Sequence, residues 1–230
     1  MLLLEPIMPD TLRKTPLFRF FGAPRGRIGD MTTLIAIQHD DWCLIAGDSQ
    51  TTFYNLGDDC SPMGKIAQNG KYLIAGAGTV RGMNIAQHNF NPPPPVKKNL
   101  DKFMISQFIP ALRQAFVKSG YDMKDDGDIA QHDNNFIVAA FGTLYFIDEA
   151  YGLERSGNNL YVSGTGMQLA LGAAYALGIN EVDDWEEACE IAYKAVKAAI
   201  KYDIHSGGRV QIALQSKDGK TWIAFAEEED

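Results

Sequence analysis

A chain of 230 residues with 46% hydrophobic content is long enough to bury one sizeable core, or at most two small ones. Its formal charge of -8, without any Lys/Arg cluster, argues against a nucleic-acid or anionic-membrane partner. No apolar run approaches the roughly 20 residues of a membrane span, and Met1-Leu2-Leu3-Leu4, interrupted by Glu5, is too short for a secretion signal.

Residues 1–31 hold Pro6, Pro9, Pro16 and Pro24, several basic residues and an aromatic patch at Phe18, Phe20 and Phe21, with no helix or strand period. They read as a leader or docked extension ahead of a domain over residues 32–230. From Thr32 the pattern changes. Thr33-Leu34-Ile35-Ala36-Ile37 and Trp42-Cys43-Leu44-Ile45-Ala46 read as two strands joined tightly at His39-Asp40-Asp41. Near-continuous apolar runs side by side imply a sheet covered on both faces. An irregular stretch is expected over Tyr54–Gly64, then a strand over Lys71–Ala75.

Residues 79–90 and 99–118 are expected as helices, the second kinked or interrupted by Pro110. Between them Asn91-Pro92-Pro93-Pro94-Pro95 is a stiff connector, since four prolines bring no backbone donors. Asn135–Phe141 and Thr143–Ile147 are strands meeting at Gly142, and Leu160–Val162 is another. Two helices follow. One, about 166–177, carries Leu169, Ala170, Ala173, Ala174 and Leu177; the other, 184–201, buries Ala188, Ile191, Ala192, Ala195 and Ala199 at helical spacing. Val210–Leu214 and Thr221–Ala226 close the chain as a hairpin, with Asp218-Gly219 expected as a type I′ turn. Two helix pairs separated by sets of strands suit one layered domain, with helices outside and sheets within.

The cysteines Cys43, Cys60 and Cys189 are scattered, odd in number and without metal-ligand spacing, so free thiols in a reducing, cytoplasmic compartment are expected. The histidines His39, His88, His132 and His205 show no metal spacing either. Asp122–Asp133 is acid-rich but ends without the bidentate glutamate of a calcium loop. Gly76-Ala77-Gly78-Thr79-Val80-Arg81-Gly82 imitates a dinucleotide turn, yet two other strands precede it and a polyproline segment follows.

One order of residues resists these bland readings. Thr32 opens the first strand, Asp48 ends the second in Ile45-Ala46-Gly47-Asp48, and Lys65 follows in Met63-Gly64-Lys65-Ile66. Far downstream stand Ser163-Gly164-Thr165-Gly166 and Tyr202-Asp203-Ile204-His205-Ser206-Gly207-Gly208. In this order they resemble the proteasome β subunits and the peptidase subunit of the bacterial two-component ATP-dependent protease, from about Thr32 to the last strand. Thr165 stands where that family carries a serine. The resemblance implies an α+β fold, a four-layer αββα sandwich of the N-terminal-nucleophile hydrolase type. It also implies a threonine endopeptidase acting on unfolded polypeptide, a homo-oligomeric ring and an ATP-dependent unfoldase partner, with no metal or organic cofactor.

The chemistry explains why such residues belong together. A threonine hydroxyl is a poor nucleophile until a base takes its proton, and an N-terminal Thr32 carries its own base, an α-amine with a pKa of about 8. Lys65 would raise the local positive potential and keep that amine neutral, and Asp48 would hold Lys65. Asp203, Ser206 and Thr165 would orient the amine and the attacking water. Backbone N–H groups around Gly76 would receive the oxyanion. By the resemblance, Thr51 and Ile74 shape the pocket for the side chain before the cut. All of this requires Thr32 to be first, either by translation from Met31 and removal of that methionine or by autolysis after Met31. Two other readings stay open: a small-molecule amidase of the same nucleophile class, and a non-catalytic ring subunit that keeps residues 1–31 over the site.

Overall fold

The computed structural model describes residues 31–53, 57–122 and 130–226; the expected leader up to residue 30 and most of the acidic loop 122–133 lie outside them. The expected strands at the start of the domain form as β1 (Leu34–Gln38) and β2 (Trp42–Gly47), with every residue of both buried. β3 (Gln50–Phe53) and β4 (Gly57–Cys60) make a separate two-stranded ribbon. This corrects the irregular reading of Tyr54–Gly64. Gly57-Asp58-Asp59-Cys60 has neither alternation nor β-branched residues, so only backbone pairing with β3 makes it a strand. β5 (Ile66–Asn69), too short and polar to be seen in the sequence, turns at Gly70 (φ 61°) into β6 (Tyr72–Gly78).

α1 (Val80–Asn84) is capped by the Thr79 hydroxyl, which accepts from the Gly82 N–H at 3.2 Å, and widens into a π-turn over Ile85–Asn89. After the polyproline connector come α2 (Leu100–Phe103), a second π-turn (Met104–Phe108) and α3 (Ile109–Lys118). The expected interruption at Pro110 takes this form. A proline ring collides with the carbonyl four residues earlier and lacks the N–H to bond it, and a wide turn ahead of the ring relieves both problems. β7 (Asn134–Ala140), β8 (Thr143–Ile147), the two-residue β9 (Leu153–Glu154) and β10 (Leu160–Ser163) follow. Next are α4 (Met167–Ala176) and α5 (Trp185–Tyr202), then β11 (Gln211–Ser216) and β12 (Thr221–Phe225). The last hairpin departs from type I′. Gly219 (φ 86°) has positive φ and Asp218 does not, and Gly219 N–H bonds Ser216 O at 2.8 Å, a type I turn closed by a left-handed glycine.

The strands form two antiparallel five-stranded sheets, β10-β1-β2-β11-β12 and β5-β6-β7-β8-β9. Strand alternation sends successive side chains to opposite faces, and three apolar layers result. Ile35, Ile37, Leu44 and Ala46 meet α4 and α5, where Ala188, Ala192, Ala195 and Ala199 let the helix come close. Leu34, Ala36, Cys43 and Ile45 meet Leu73, Ala75, Ile137 and Ala139 between the sheets. Tyr72, Ile74, Phe136 and Val138 meet Phe103, Phe108, Leu112 and Phe116 of the other helical layer. The architecture is helix, sheet, sheet, helix: the four-layer αββα sandwich. Burial pushes the Cys43 thiol up to about 12 in the middle layer. Far from Thr32, buried amides tie the sheets together: Gln38 Nε2 donates to Gly142 O (2.6 Å), and Gln215 Oε1 accepts from Gly142 N–H (2.9 Å). Among the described residues, no helix is long and apolar enough to cross a membrane.

His132 is fully buried in the helix-side layer, stacked on Phe116 (4.8 Å) and edge-on to Tyr151 (4.5 Å). Burial pushes its pKa from 6.5 down to about 4, although Asn134 and Asp122 favour the charged form. Between those values the unfolded chain binds the proton and the folded one does not, so stability falls as pH drops below 6.5. From pH 7 to pH 5 this group alone should remove about 2 kcal/mol. His132→Phe should lose correspondingly less over that range in urea titrations; equal losses in both proteins would refute this account.

Candidate active site

The site forms where the start of β1, the end of β2, the approach to β5 and the loop after α5 converge. Asp48 is its centre. The carboxylate is fully buried and accepts four hydrogen bonds. Oδ1 takes Thr33 N–H (2.8 Å) and Lys65 Nζ (2.8 Å); Oδ2 takes Gln50 N–H (3.2 Å) and Gly207 N–H (3.1 Å). Its own N–H bonds Thr33 O at 3.1 Å, continuing the β1–β2 ladder to the point where the chain enters. Lys65 is 2% exposed, and burial pushes its pKa below the usual lysine value against the opposing pull of Asp48 and the more distant Asp203.

Lys65 Nζ also donates to Met31 O (3.1 Å), and the hydroxyl of Thr32, itself 1% exposed, donates to the same oxygen (2.6 Å). A hydroxyl and an ammonium thus meet on the carbonyl of the peptide bond preceding Thr32. Just behind lies a chain of hydroxyls. Ser206 Oγ and Thr165 Oγ1 both donate to Asp203 Oδ2 (2.6 and 2.7 Å), while Asp203 Oδ1 accepts from His205 N–H (3.2 Å). Burial raises the Asp203 pKa, but these bonds and the nearby His205 outweigh it and hold it below the usual carboxylate value. Because Ser206 gives its proton to the carboxylate, the 2.7 Å contact between Thr33 Oγ1 and Ser206 Oγ has Thr33 as donor.

All six residues expected to do chemistry are thereby joined in two networks: Thr32 with Lys65 and Asp48, and Thr165 with Asp203 and Ser206. Asp48 links the two through Thr33 and Gly207. The glycines of Gly164-Thr165-Gly166 are steric requirements. Gly164 has φ 88°, a side chain there would strike Thr32 O, and one at Gly166 would strike Thr33 Oγ1. Gly166 N–H also donates to Thr32 O (3.3 Å).

Two expectations need correction. Ile74 does not reach the site: it is 1% exposed and its side chain lies in the helix-side layer with Ile85 and Phe136. The Gly76 N–H is already bonded to Lys65 O (3.3 Å), and the space beside its Cα is filled by Met83 and Phe136. Ladder parity places the Gly78 N–H on the same edge of β6, one repeat beyond Lys65, because Thr79 N–H bonds Asp133 O on the other side (3.3 Å). Thr51 lies partly exposed on β3, next to Gln50. Thr33, an ordinary strand residue by its sequence, also belongs to the site, and the doubled Thr32-Thr33 is its only trace there; Gly207, expected beside Ser206 to support the amine, donates its N–H to Asp48 instead.

No protein-family model matches the chain. The architecture defines a proteasome-type N-terminal-nucleophile hydrolase fold. Thiobacillus denitrificans BPH superposes with a TM-score of 0.64 at 21% identity, covering 80% of this chain and 98% of that one. The same protein in complex with epoxomicin gives 0.63 over the same shares. Curated relatives carry names of the same kind. The proteasome subunit beta of Nanoarchaeum equitans (strain Kin4-M) is 24% identical over 204 residues, 82% of this chain and 95% of its own. The ATP-dependent protease subunit HslV of Caldicellulosiruptor saccharolyticus is 24% identical over 184 residues, 79% and 96%. In sequence the chain is thus similar to proteasome β and HslV proteins, and in fold to BPH.

Removing Asp48 leaves a buried ammonium unpaired and three N–H groups orphaned, so Asp48→Ala should destabilise the fold by roughly 3–5 kcal/mol. Lys65→Met leaves the carboxylate its three N–H donors and should cost less. Urea unfolding of both variants measures the order, and a larger loss in Lys65→Met would contradict it.

Proposed function

We propose that this chain is a threonine endopeptidase whose nucleophile is Thr32 Oγ1, with residues 32–230 as the working domain and residues 1–31 removed or never translated. One observation carries the reading: Thr32 Oγ1 and Lys65 Nζ converge on a single peptide carbonyl oxygen, with Asp48 behind the lysine. The names of the curated relatives, proteasome subunit beta and ATP-dependent protease subunit, support peptide bonds as the target.

With Thr32 first, its neutral α-amine takes the Oγ1 proton and Oγ1 adds to the substrate carbonyl carbon. The Lys65 ammonium disfavours a second positive charge nearby and so keeps the amine unprotonated. Asp203, Ser206 and Thr165 orient it: Ser206, whose O–H is hydrogen-bonded to Asp203, still has a lone pair to accept an amine N–H, which leaves the amine lone pair for Oγ1. Gly78, rather than Gly76, is assigned the oxyanion's backbone donor. Collapse of the tetrahedral intermediate passes the proton to the leaving amine and leaves an ester on Thr32, which water hydrolyses with the same base. Protein groups supply every step, without a cofactor. Thr51 is assigned to the side chain before the cut. By analogy with the relatives, the working form is a homo-oligomeric cytoplasmic ring fed with unfolded polypeptide by an ATP-dependent unfoldase.

In the full chain the Met31 carbonyl occupies the place a substrate carbonyl needs, so activity depends on losing residues 1–31. Intact-mass measurement of the protein from its native gene should give a chain beginning at Thr32. That form should take up epoxomicin and hydrolyse fluorogenic peptides, while Thr32→Ala should lose at least about 1,000-fold of the turnover and keep its assembly state. A full-length mass with undiminished activity would sink the mechanism. A full-length mass without adduct or turnover would favour the scaffold reading, and a monomer cleaving only small amides would favour the amidase.

A further inference from the structure

We propose that Gln211 is a positioning residue of this site, setting Lys65 against Asp48 from the opposite sheet; the inference rests on the reading of Lys65 given above. β5 is an edge strand, and Ile66 turns its N–H and C=O away from β6. The Gln211 side chain supplies what a neighbouring strand would. Its Oε1 accepts from Ile66 N–H (2.8 Å) and its Nε2 donates to Ile66 O (2.9 Å). The second lone pair of Oε1 takes Lys65 N–H at 2.9 Å. Three of the four hydrogen-bonding positions of one amide are thus spent on Lys65 and its neighbour.

The origin of that side chain gives the contact its meaning. Gln211 is 3% exposed and pairs across β11–β2 with Gly47, the residue before Asp48. The two halves of the ion pair, one on each sheet, therefore share a reference point one residue from Asp48. Gly64 (φ 70°) makes room, since any side chain there would strike the Gln211 amide. On the other side Gln87 Nε2 donates to Lys65 O (2.9 Å) and Ile74 O (2.9 Å), closing the backbone of Lys65 from the helical layer. Gln215, on the same strand, makes the same kind of bridge at the opposite end of the sandwich, to Gly142 and Lys71, where no site residue lies.

That symmetry supplies the test. Gln211→Leu and Gln215→Leu each remove a buried inter-sheet amide, so both should lower the melting temperature. Only Gln211→Leu should impair the chemistry. In the full chain as it matures, its kcat on a fluorogenic peptide should fall roughly 10- to 100-fold, the scale set by displacement of a catalytic group by about 1 Å. KM should stay within twofold, and Gln215→Leu should keep both constants within twofold. If Gln211→Leu does not fold, Gln211→Glu decides: it keeps an oxygen acceptor for both N–H groups, loses the donor to Ile66 O, and should lose kcat by about three- to tenfold. Unchanged kcat in the Gln211 variant measured, or an equal kcat loss in Gln215→Leu, overturns the proposal. Wild-type protein that neither hydrolyses peptide nor takes up epoxomicin defeats the peptidase reading itself, and the assignment of Gln211 falls with it.

Discussion

Everything at this site is arranged around one buried carboxylate. Asp48 is cut off from water and must find its solvation inside the protein. It does so by collecting donors from β1, from the start of β3, from the approach to β5 and from the loop after α5. Each donor is a separate segment of chain, and each segment carries a group of the proposed chemistry. The electrostatic need of one anion therefore brings together residues far apart in sequence. The two sheets must lie at a fixed separation for Lys65 to reach across, and the middle apolar layer sets that separation.

The layered fold explains why the networks stay distinct yet connected. Lys65 belongs to the second sheet and to the side of Thr32 that faces the Met31 carbonyl. Thr165, Asp203 and Ser206 belong to segments packed on the first sheet, behind the backbone of β1. Thr33 bridges them, its N–H going to Asp48 and its hydroxyl to Ser206. Any residue but proline would supply the N–H, whereas the hydroxyl contact is one that an apolar strand residue could not make.

Much of this was legible in the sequence because double burial leaves a strong trace. Runs such as Leu34–Ile37 and Cys43–Ala46 tolerate no polar interruption when both faces of the sheet are covered, and the alanine stripe of α5 marks a close helix contact. Asp48, Lys65 and Asp203 were legible by order and spacing. The failures share a cause. Ile74, Gly76 and Gly78 share one parity along β6, and the sequence does not tell which face that parity turns inward or which of these N–H groups the β5 ladder already takes. Ile74 was assigned to a face it does not occupy, and Gly76 to a donor already in use. β4 left no trace because its strand character comes from its partner. Gln211 was invisible for another reason: a glutamine in Val210–Leu214 looks like an ordinary solvent-facing alternation until the opposite sheet is in place.

The glycines flanking Thr165 have a consequence for the order of events in the life of the chain. They admit the Thr32 carbonyl and the Thr33 hydroxyl into the body of the fold, so β1 is anchored immediately downstream of the Met31–Thr32 bond. The anchoring contacts of Thr32 and Thr33 lie downstream of that bond, on Gly166, Asp48 and Ser206. On the proposed reading, maturation and architecture are in that sense uncoupled: every donor on Asp48 is in place while the Met31–Thr32 bond is intact.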